Sequence, residues 1–276
     1  RLCQPLPQRL PSFGMHKKGS HYDIVNVFEC NIVDSDFTKI LELTLNFFKE
    51  RKIPYFHKNS HVGFLRHLLI RRSEYTGEIL VSLVTTSSFG FVEDPNTLPE
   101  PSVIGTAEEV LIKEWADYIK AETDKGILNG SIGGILHTKN DSYADAVLNQ
   151  GTTLIHGKDY ITEKLNGLEF KITPFSFFQT NSKGAEVLYN VAGKYLGDTR
   201  GKSVFDLYSG TGTIGMIMAK KAKKVYAIEI VKSASEDGEK TAKENGIENI
   251  EFLNGAVEKE LVKLINANKR IDTSRF

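Results

Sequence analysis

The stretch Val204-Phe205-Asp206-Leu207-Tyr208-Ser209-Gly210-Thr211-Gly212-Thr213-Ile214-Gly215, followed by Lys224-Val225-Tyr226-Ala227-Ile228-Glu229, decides the fold. It reads as strand, glycine turn, helix, second strand and acidic tip. Glycines let a backbone turn tightly and approach a ligand where a Cβ would clash, and the helix behind them begins with unpaired N–H groups. An acidic residue closing the second strand can accept from both hydroxyls of a ribose. The pattern predicts a nucleoside-cofactor site built on a parallel sheet.

Working outward, helix and strand alternate from Asn181 onward. Helices are expected near 181–196, 212–222, 231–245 and 256–268, and strands near 203–207, 224–229 and 249–253. Residues 177–276 therefore read as the opening, incomplete part of a doubly wound α/β domain. The grammar before that is different. Phe37, Ile40, Leu41, Leu45 and Phe48 recur at helical spacing after Asp34 or Ser35 as N-cap, and Val110, Ile112, Trp115 and Ile119 mark a second helix. Phe64 to Arg72 and Glu78 to Thr85 flank Tyr75-Thr76-Gly77 as a hairpin would. Ser131 to His137, Ala144 to Leu148, and Tyr160 to Thr173 around Asn166-Gly167 read as further antiparallel strands. Residues 13–176 thus form an expected α+β antiparallel-sheet domain, and residues 1–12, with Pro5, Pro7 and Pro11, an extended leader.

Composition narrows the class. The 276 residues are 40% hydrophobic and 25% charged, which suits a chain that buries full cores in about two domains. Formal net charge is zero, so nucleic-acid contact requires a local patch. One such patch is residues 49–72, where Lys49, Arg51, Lys52, Lys58, Arg66, Arg71 and Arg72 face the single acid Glu50. Tyr55, Phe56, Phe64 and three histidines are interleaved, which suits phosphate neutralisation with base stacking, although a solvated helix end and hairpin would read the same way. No apolar run reaches membrane-spanning length. Cys3 and Cys30, the two cysteines, make no disulfide framework and favour a reducing, cytoplasmic setting.

Gly210-x-Gly212-x-x-Gly215 alone also matches the dinucleotide fingerprint, so a nicotinamide-dependent oxidoreductase and a merely structural turn stay open. Asp206 tilts the choice. With Gly210 and Gly212 it forms D-x-x-x-G-x-G, which resembles motif one of S-adenosylmethionine (SAM) methyltransferases, whereas a nicotinamide-binding turn follows an apolar strand end directly. More specific is Phe170-Lys171-Ile172-Thr173-Pro174-Phe175-Ser176-Phe177-Phe178-Gln179-Thr180-Asn181, similar to the I-S-P-x-S-F-F-Q-x-N signature of RNA uracil-5-methyltransferases. Leu65-Arg66-His67-Leu68-Leu69-Ile70-Arg71 leading into Thr76-Gly77-Glu78, and Ser20-His21-x-Asp23-Ile24-Val25 with Cys30, resemble the same family. The likeness runs from about Phe13 to Asn268 and is nearer the bacterial ribosomal-RNA branch than the transfer-RNA branch.

This resemblance implies a class I, Rossmann-like, SAM-dependent domain that makes 5-methyluridine in RNA, ribosomal before transfer RNA. Gln179 would hold the methionine end of SAM, Asp206, Tyr208, Gly210, Gly212 and Thr213 would line the turn, and Glu229 would take the ribose hydroxyls. Where the family usually has a polar or acidic side chain near the adenine, this chain has Ala256, which leaves that contact to backbone groups. Lys58, Arg66, His67 and Arg71 are the RNA-contact candidates. Family members add a cysteine thiolate to C6 of uracil, methylate the enolate, and remove the C5 proton with a carboxylate. The resemblance puts that cysteine beyond Phe276, so no catalytic residue is assigned here. The expectation is a piece truncated at both ends that does not methylate alone. Cys30 resembles the last of four iron–sulfur ligands, the others lying upstream in a longer parent, and no metal site is expected in this chain. A non-catalytic RNA-binding module is the remaining alternative.

Overall fold

The computed structural model describes residues 14–16, 18–19, 24–26, 29–57, 61–87, 101–143 and 146–267, with backbone alone at 14–16, 24–26, 101–106 and 267. The expected leader and Lys58 lie outside the described residues. Two compact units emerge, one of residues 1–161 with 173–175, the other of 162–172 with 176–276.

In the first unit β1 (Gly14–His16) and β2 (Ile24–Asn26) form a small antiparallel pair. Helix α1 (Ser35–Glu50) starts where its sequence says it should, because the Asp34 carboxylate accepts from the Asp36 amide at 2.9 Å. The sheet follows as β3 (Leu65–Arg72) and β4 (Glu78–Thr85), then α2 (Pro101–Thr123), β5 (Ser131–Lys139) and β6 (Thr152–Gly157). Its order is β3-β4-β5-β6. The hairpin at Tyr75-Thr76-Gly77 is as expected, but the sheet is mixed, since β4 and β5 run parallel while the outer pairs are antiparallel. The cause is α2. A long helix between two strands returns the chain to the starting edge, so the second strand repeats the direction of the first. The strand expected at 144–148 is absent at the described residues 146–148; Val147 and Leu148 are exposed, and β6 lies further on.

Packing explains the helices. Ile40, Phe48, Ile112, Trp115 and Ile119 are buried against Ile79, Val81 and Leu83 of β4. Val110, counted in the helical stripe, is exposed. On the other face of the sheet, hydroxyls bond across the strands among the buried Leu80, Val84 and Leu136, Ser82 to Thr138 at 3.0 Å and Thr138 to Thr152 at 2.9 Å.

The second unit opens with the hairpin β7 (Ile161–Leu165) and β8 (Leu168–Ile172), turning at Asn166-Gly167, with Asn166 at φ +48°. The sequence assigned this hairpin to the first domain, ending at residue 176. It joins the second unit from Thr162 because Leu165, Leu168 and Phe170 pack on Ala185, Tyr189 and Met216. Then come α3 (Ser182–Leu196), β9 (Ser203–Leu207), α4 (Thr213–Ala219), β10 (Lys224–Glu229), α5 (Lys232–Glu244), β11 (Ile250–Asn254) and α6 (Val257–Ala267). The three strands are parallel in the order β11-β10-β9, as the alternating pattern predicts. Helix α4 stops three residues short of its expected end.

Candidate functional site

The turn between β9 and α4 is built from three left-handed residues, Tyr208 at φ +59°, Gly210 at +57° and Gly212 at +73°. For the two glycines this conformation is free of Cβ strain; for Tyr208 it is not, and such strain concentrates where a backbone has to present something. Gly212 is also the N-cap of α4, and a Cβ there would lie 2.5 Å from the Phe252 ring. Backbone bonds fix the rest, from Ser209 to the Ile228 carbonyl at 3.0 Å and from Gly212 to the Ser209 carbonyl at 2.8 Å.

Two carboxylates hold this turn. Asp206 accepts from the Gly215 amide at 2.7 Å, so the helix-start N–H that the sequence left available is already taken. Burial pushes the Asp206 carboxyl up to about 6, against that amide's pull. Glu229, only 9% exposed, accepts from the Gly210 amide through Oε2 and from the Val231 amide through Oε1, each at 2.8 Å. Each oxygen spends one acceptor position on the backbone and keeps another. Glu229 is thus both the clamp of the glycine turn and a two-pronged acceptor fixed in direction.

The sequence named Gln179, Asp206, Tyr208, Gly210, Gly212, Thr213, Glu229 and Ala256. All belong to the second unit. Gln179 is exposed and its side chain bonds Tyr189, a buried residue that also feels the Asp206 charge; burial foremost, with that charge, raises the Tyr189 hydroxyl. Thr213 meets Thr211 hydroxyl to hydroxyl at 3.4 Å. Ala256 follows Gly255, whose amide donates to the Glu229 carbonyl at 3.0 Å, and Asn254 Nδ2 reaches the same carbonyl at 2.9 Å. These bonds bring the Asn254–Ala256 loop beside Glu229. Tyr189, Asn254 and Ile230, the last 67% exposed immediately after the acidic tip, join the candidate site by geometry and were not named from the sequence. The apolar pair Ile230-Val231 directly after the acidic strand end was the available signal.

Of the RNA-contact candidates, the described Arg66, His67 and Arg71 belong to the first unit, and the two arginines have carbonyl partners. Arg66 Nη1 donates to the carbonyls of Asn140 and Ser142 at 2.8 and 2.7 Å, and Arg71 Nε donates to the Pro174 carbonyl at 3.0 Å, its burial lowering the guanidinium's pKa. His67 lies half-buried on β3. Other members of the positive island are matched by acids, Arg51 by Glu114 at 3.9 Å and Arg72 by Asp34 and Glu74 at 3.5 and 3.6 Å. Cys30 is a half-buried free thiol, and among the described residues no three His, Cys, Asp or Glu gather as a metal-binding group. One thiolate does not fit a four-ligand cluster. No helix among the described residues is long and apolar enough to cross a membrane.

The family profile described as tRNA (Uracil-5-)-methyltransferase matches residues 147–273, which span the glycine turn, Gln179 and Glu229. An uncharacterised RNA methyltransferase of Clostridium tetani is 45% identical over 246 residues, 89% of this chain and 49% of that protein. The chain belongs to the RNA uracil-5-methyltransferase family. A second relative, an uncharacterised RNA methyltransferase of Fusobacterium nucleatum, is 43% identical over 95% of this chain and 51% of its own length. The chain spans about half the length of the curated relatives it matches. Among solved structures, the Pyrococcus abyssi tRNA (uracil-54, C5)-methyltransferase in complex with S-adenosyl-L-homocysteine aligns with a TM-score of 0.59 at 24% identity, over 85% of this chain and 50% of that one. That likeness carries the fold.

Proposed function

We propose that the second unit binds SAM at the Tyr208–Gly212 turn and that the chain serves SAM-dependent methylation of uracil C5 in RNA. The observation that carries this reading is Glu229, buried, aimed by two backbone amides, and with one acceptor position left on each oxygen for a pair of vicinal hydroxyls. The surroundings fit the same ligand. Tyr208 and Ile230 offer exposed apolar surface beside the clamp, the Asn254–Ala256 loop offers backbone groups to an adenine, and Gln179 offers donor and acceptor to an amino-acid zwitterion. Bound SAM would supply an electrophilic methyl group; the chain's own contribution is to hold and orient it.

Calorimetric titration tests this. Wild type should bind SAM saturably, Glu229→Ala should lose about a hundredfold as two hydrogen bonds to a charged acceptor disappear, and NADH should not bind. NADH binding in place of SAM would overturn the assignment and restore the dinucleotide reading.

For the RNA, ribosomal RNA is the first substrate reading, on the motif resemblance, and transfer RNA the second, favoured by the description of the matching family profile. Binding of unmodified ribosomal-RNA and transfer-RNA transcripts, compared at several salt concentrations, separates them. A cytoplasmic setting belongs to the same proposal.

A further inference from the structure

Three rings and a guanidinium that are scattered in the sequence meet at one place on the first unit. The Arg66 guanidinium lies over the Phe56 ring, 4.1 Å from its centroid; Phe56 and His61 are 6.1 Å apart, and His61 meets Tyr143 edge-on at 4.8 Å. Tyr143 is 77% exposed, so the outer member of this ladder presents its ring to solvent. A single exposed tyrosine is ordinary. This one is built in. The two Arg66 bonds to Asn140 and Ser142 tie the loop that carries Tyr143 to a strand up to 76 residues away. Asn140, itself buried, accepts from the Ser142 amide and hydroxyl at 3.1 and 2.8 Å and donates to Ala146 at 2.8 Å. On the facing segment, the His57 amide donates to the Val62 carbonyl at 2.8 Å, the His61 amide donates to the His57 carbonyl at 2.8 Å, and His61 is held at φ +55°.

We propose that His61 and Tyr143, backed by Phe56 and braced by Arg66, form a stacking site for an unpaired base of single-stranded RNA. The proposal deepens the RNA reading above and rests on it. Flat π faces beside a fixed cation are what an unstacked base uses, and stacking of this kind accepts any base. Asp141, next to the loop, turns its carboxylate to the Ser87 amide and hydroxyl at 2.8 and 2.5 Å, which fixes its direction. Arg66, assigned to phosphate from the sequence, becomes a positioning residue that sets the distance between loop and ladder.

The test uses a short oligouridylate carrying one central 2-aminopurine, with an abasic oligomer of equal phosphate number as competitor. Wild type should quench the 2-aminopurine and prefer the base-bearing oligomer by about tenfold, the scale of one base on an aromatic platform. Tyr143→Ala and His61→Ala should each lose both signals, and Tyr143→Phe should keep both. Equal affinity of wild type for the two oligomers would overturn the stacking site while leaving RNA binding intact. A base preference that survives both alanine variants would also overturn it, and binding of neither oligomer would remove the RNA reading along with it.

Discussion

The glycine turn of the second unit and the aromatic ladder of the first are both exposed surfaces held in shape by backbone bonds, but their parts come from different distances along the chain. The turn is assembled from Asp206 to Gly215 and closed by Glu229, nineteen residues from the Gly210 amide it holds. The ladder depends on bonds spanning 74 and 76 residues. A locally assembled site needs particular residue types at fixed spacing and leaves a motif. A site assembled across a sheet needs only that the sheet bring compatible side chains together, and leaves none.

The largest expected effect tests how far the turn is local. Gly212→Val adds a β-branched side chain at a left-handed N-cap and drives it into Phe252, costing about 4 kcal/mol from strain and overpacking together. Denaturant unfolding should show that loss, and hydrogen exchange should place it in α4 and β11. Stability within about 1 kcal/mol of wild type would mean that Phe252 yields and the turn is less constrained than its geometry implies.

The next two effects contrast the units by pH. Burial, with Lys139, holds His137 down to about 4 from 6.5; the folded first unit favours the neutral ring, so this contribution is full above pH 6.5 and is lost as pH falls through about 4. Asp206 is the opposite case. Its pKa is raised from 3.8 to about 6, so the folded second unit favours the protonated acid, and that contribution is full below pH 3.8 and is lost as pH rises through about 6. His137→Gln should therefore cost about 3 kcal/mol more at pH 7 than at pH 4. Asp206→Asn, which keeps an acceptor for Gly215, should gain about 2 kcal/mol relative to wild type over the same rise, after allowance for partial exposure. Glu108, raised by its own burial, acts in the first unit in the Asp206 direction, which is why the variants and not the bare pH profile carry the test. Slopes of equal sign in the two variants would refute the contrast.

The same contrast accounts for what the sequence disclosed. β9, α4, β10, α5, β11 and α6 were legible because each βα step is local, with an apolar strand, a glycine or acidic tip, and a helical stripe in order. The first unit's sheet was not, because the parallel pairing of β4 with β5 is decided by where α2 returns the chain. Thr152–Gly157 was passed over because a strand stabilised by a threonine hydroxyl does not alternate apolar and polar. Val147 and Leu148 looked like a strand and are a surface loop. At the candidate site, the place of Glu229 at a strand end was legible, whereas its double backbone clamp was not, since amide donors carry no side-chain signature. Tyr189 was hidden in an ordinary helical pattern and becomes visible only through its bond to Gln179.

The smallest effect compares the two exposed tyrosines. Tyr208, 71% exposed, donates its hydroxyl to Glu258 at 3.3 Å, a long bond in solvent, and the Glu258 charge foremost raises the hydroxyl's pKa. If the ring is what meets the ligand, Tyr208→Phe should leave SAM affinity within about twofold and Tyr208→Ala should weaken it about fivefold, the scale of one aromatic contact. The calorimetric series that includes Glu229→Ala measures both. Should Tyr208→Phe lose as much as Tyr208→Ala, the Glu258 bond would be the working part, and Tyr208 would act by closing the turn over α6. The two tyrosines would then differ in kind, with Tyr143 presenting a face and Tyr208 a latch. Should the phenylalanine hold, both units would present their ligands with the same device, a ring kept in solvent by a backbone that cannot retract it.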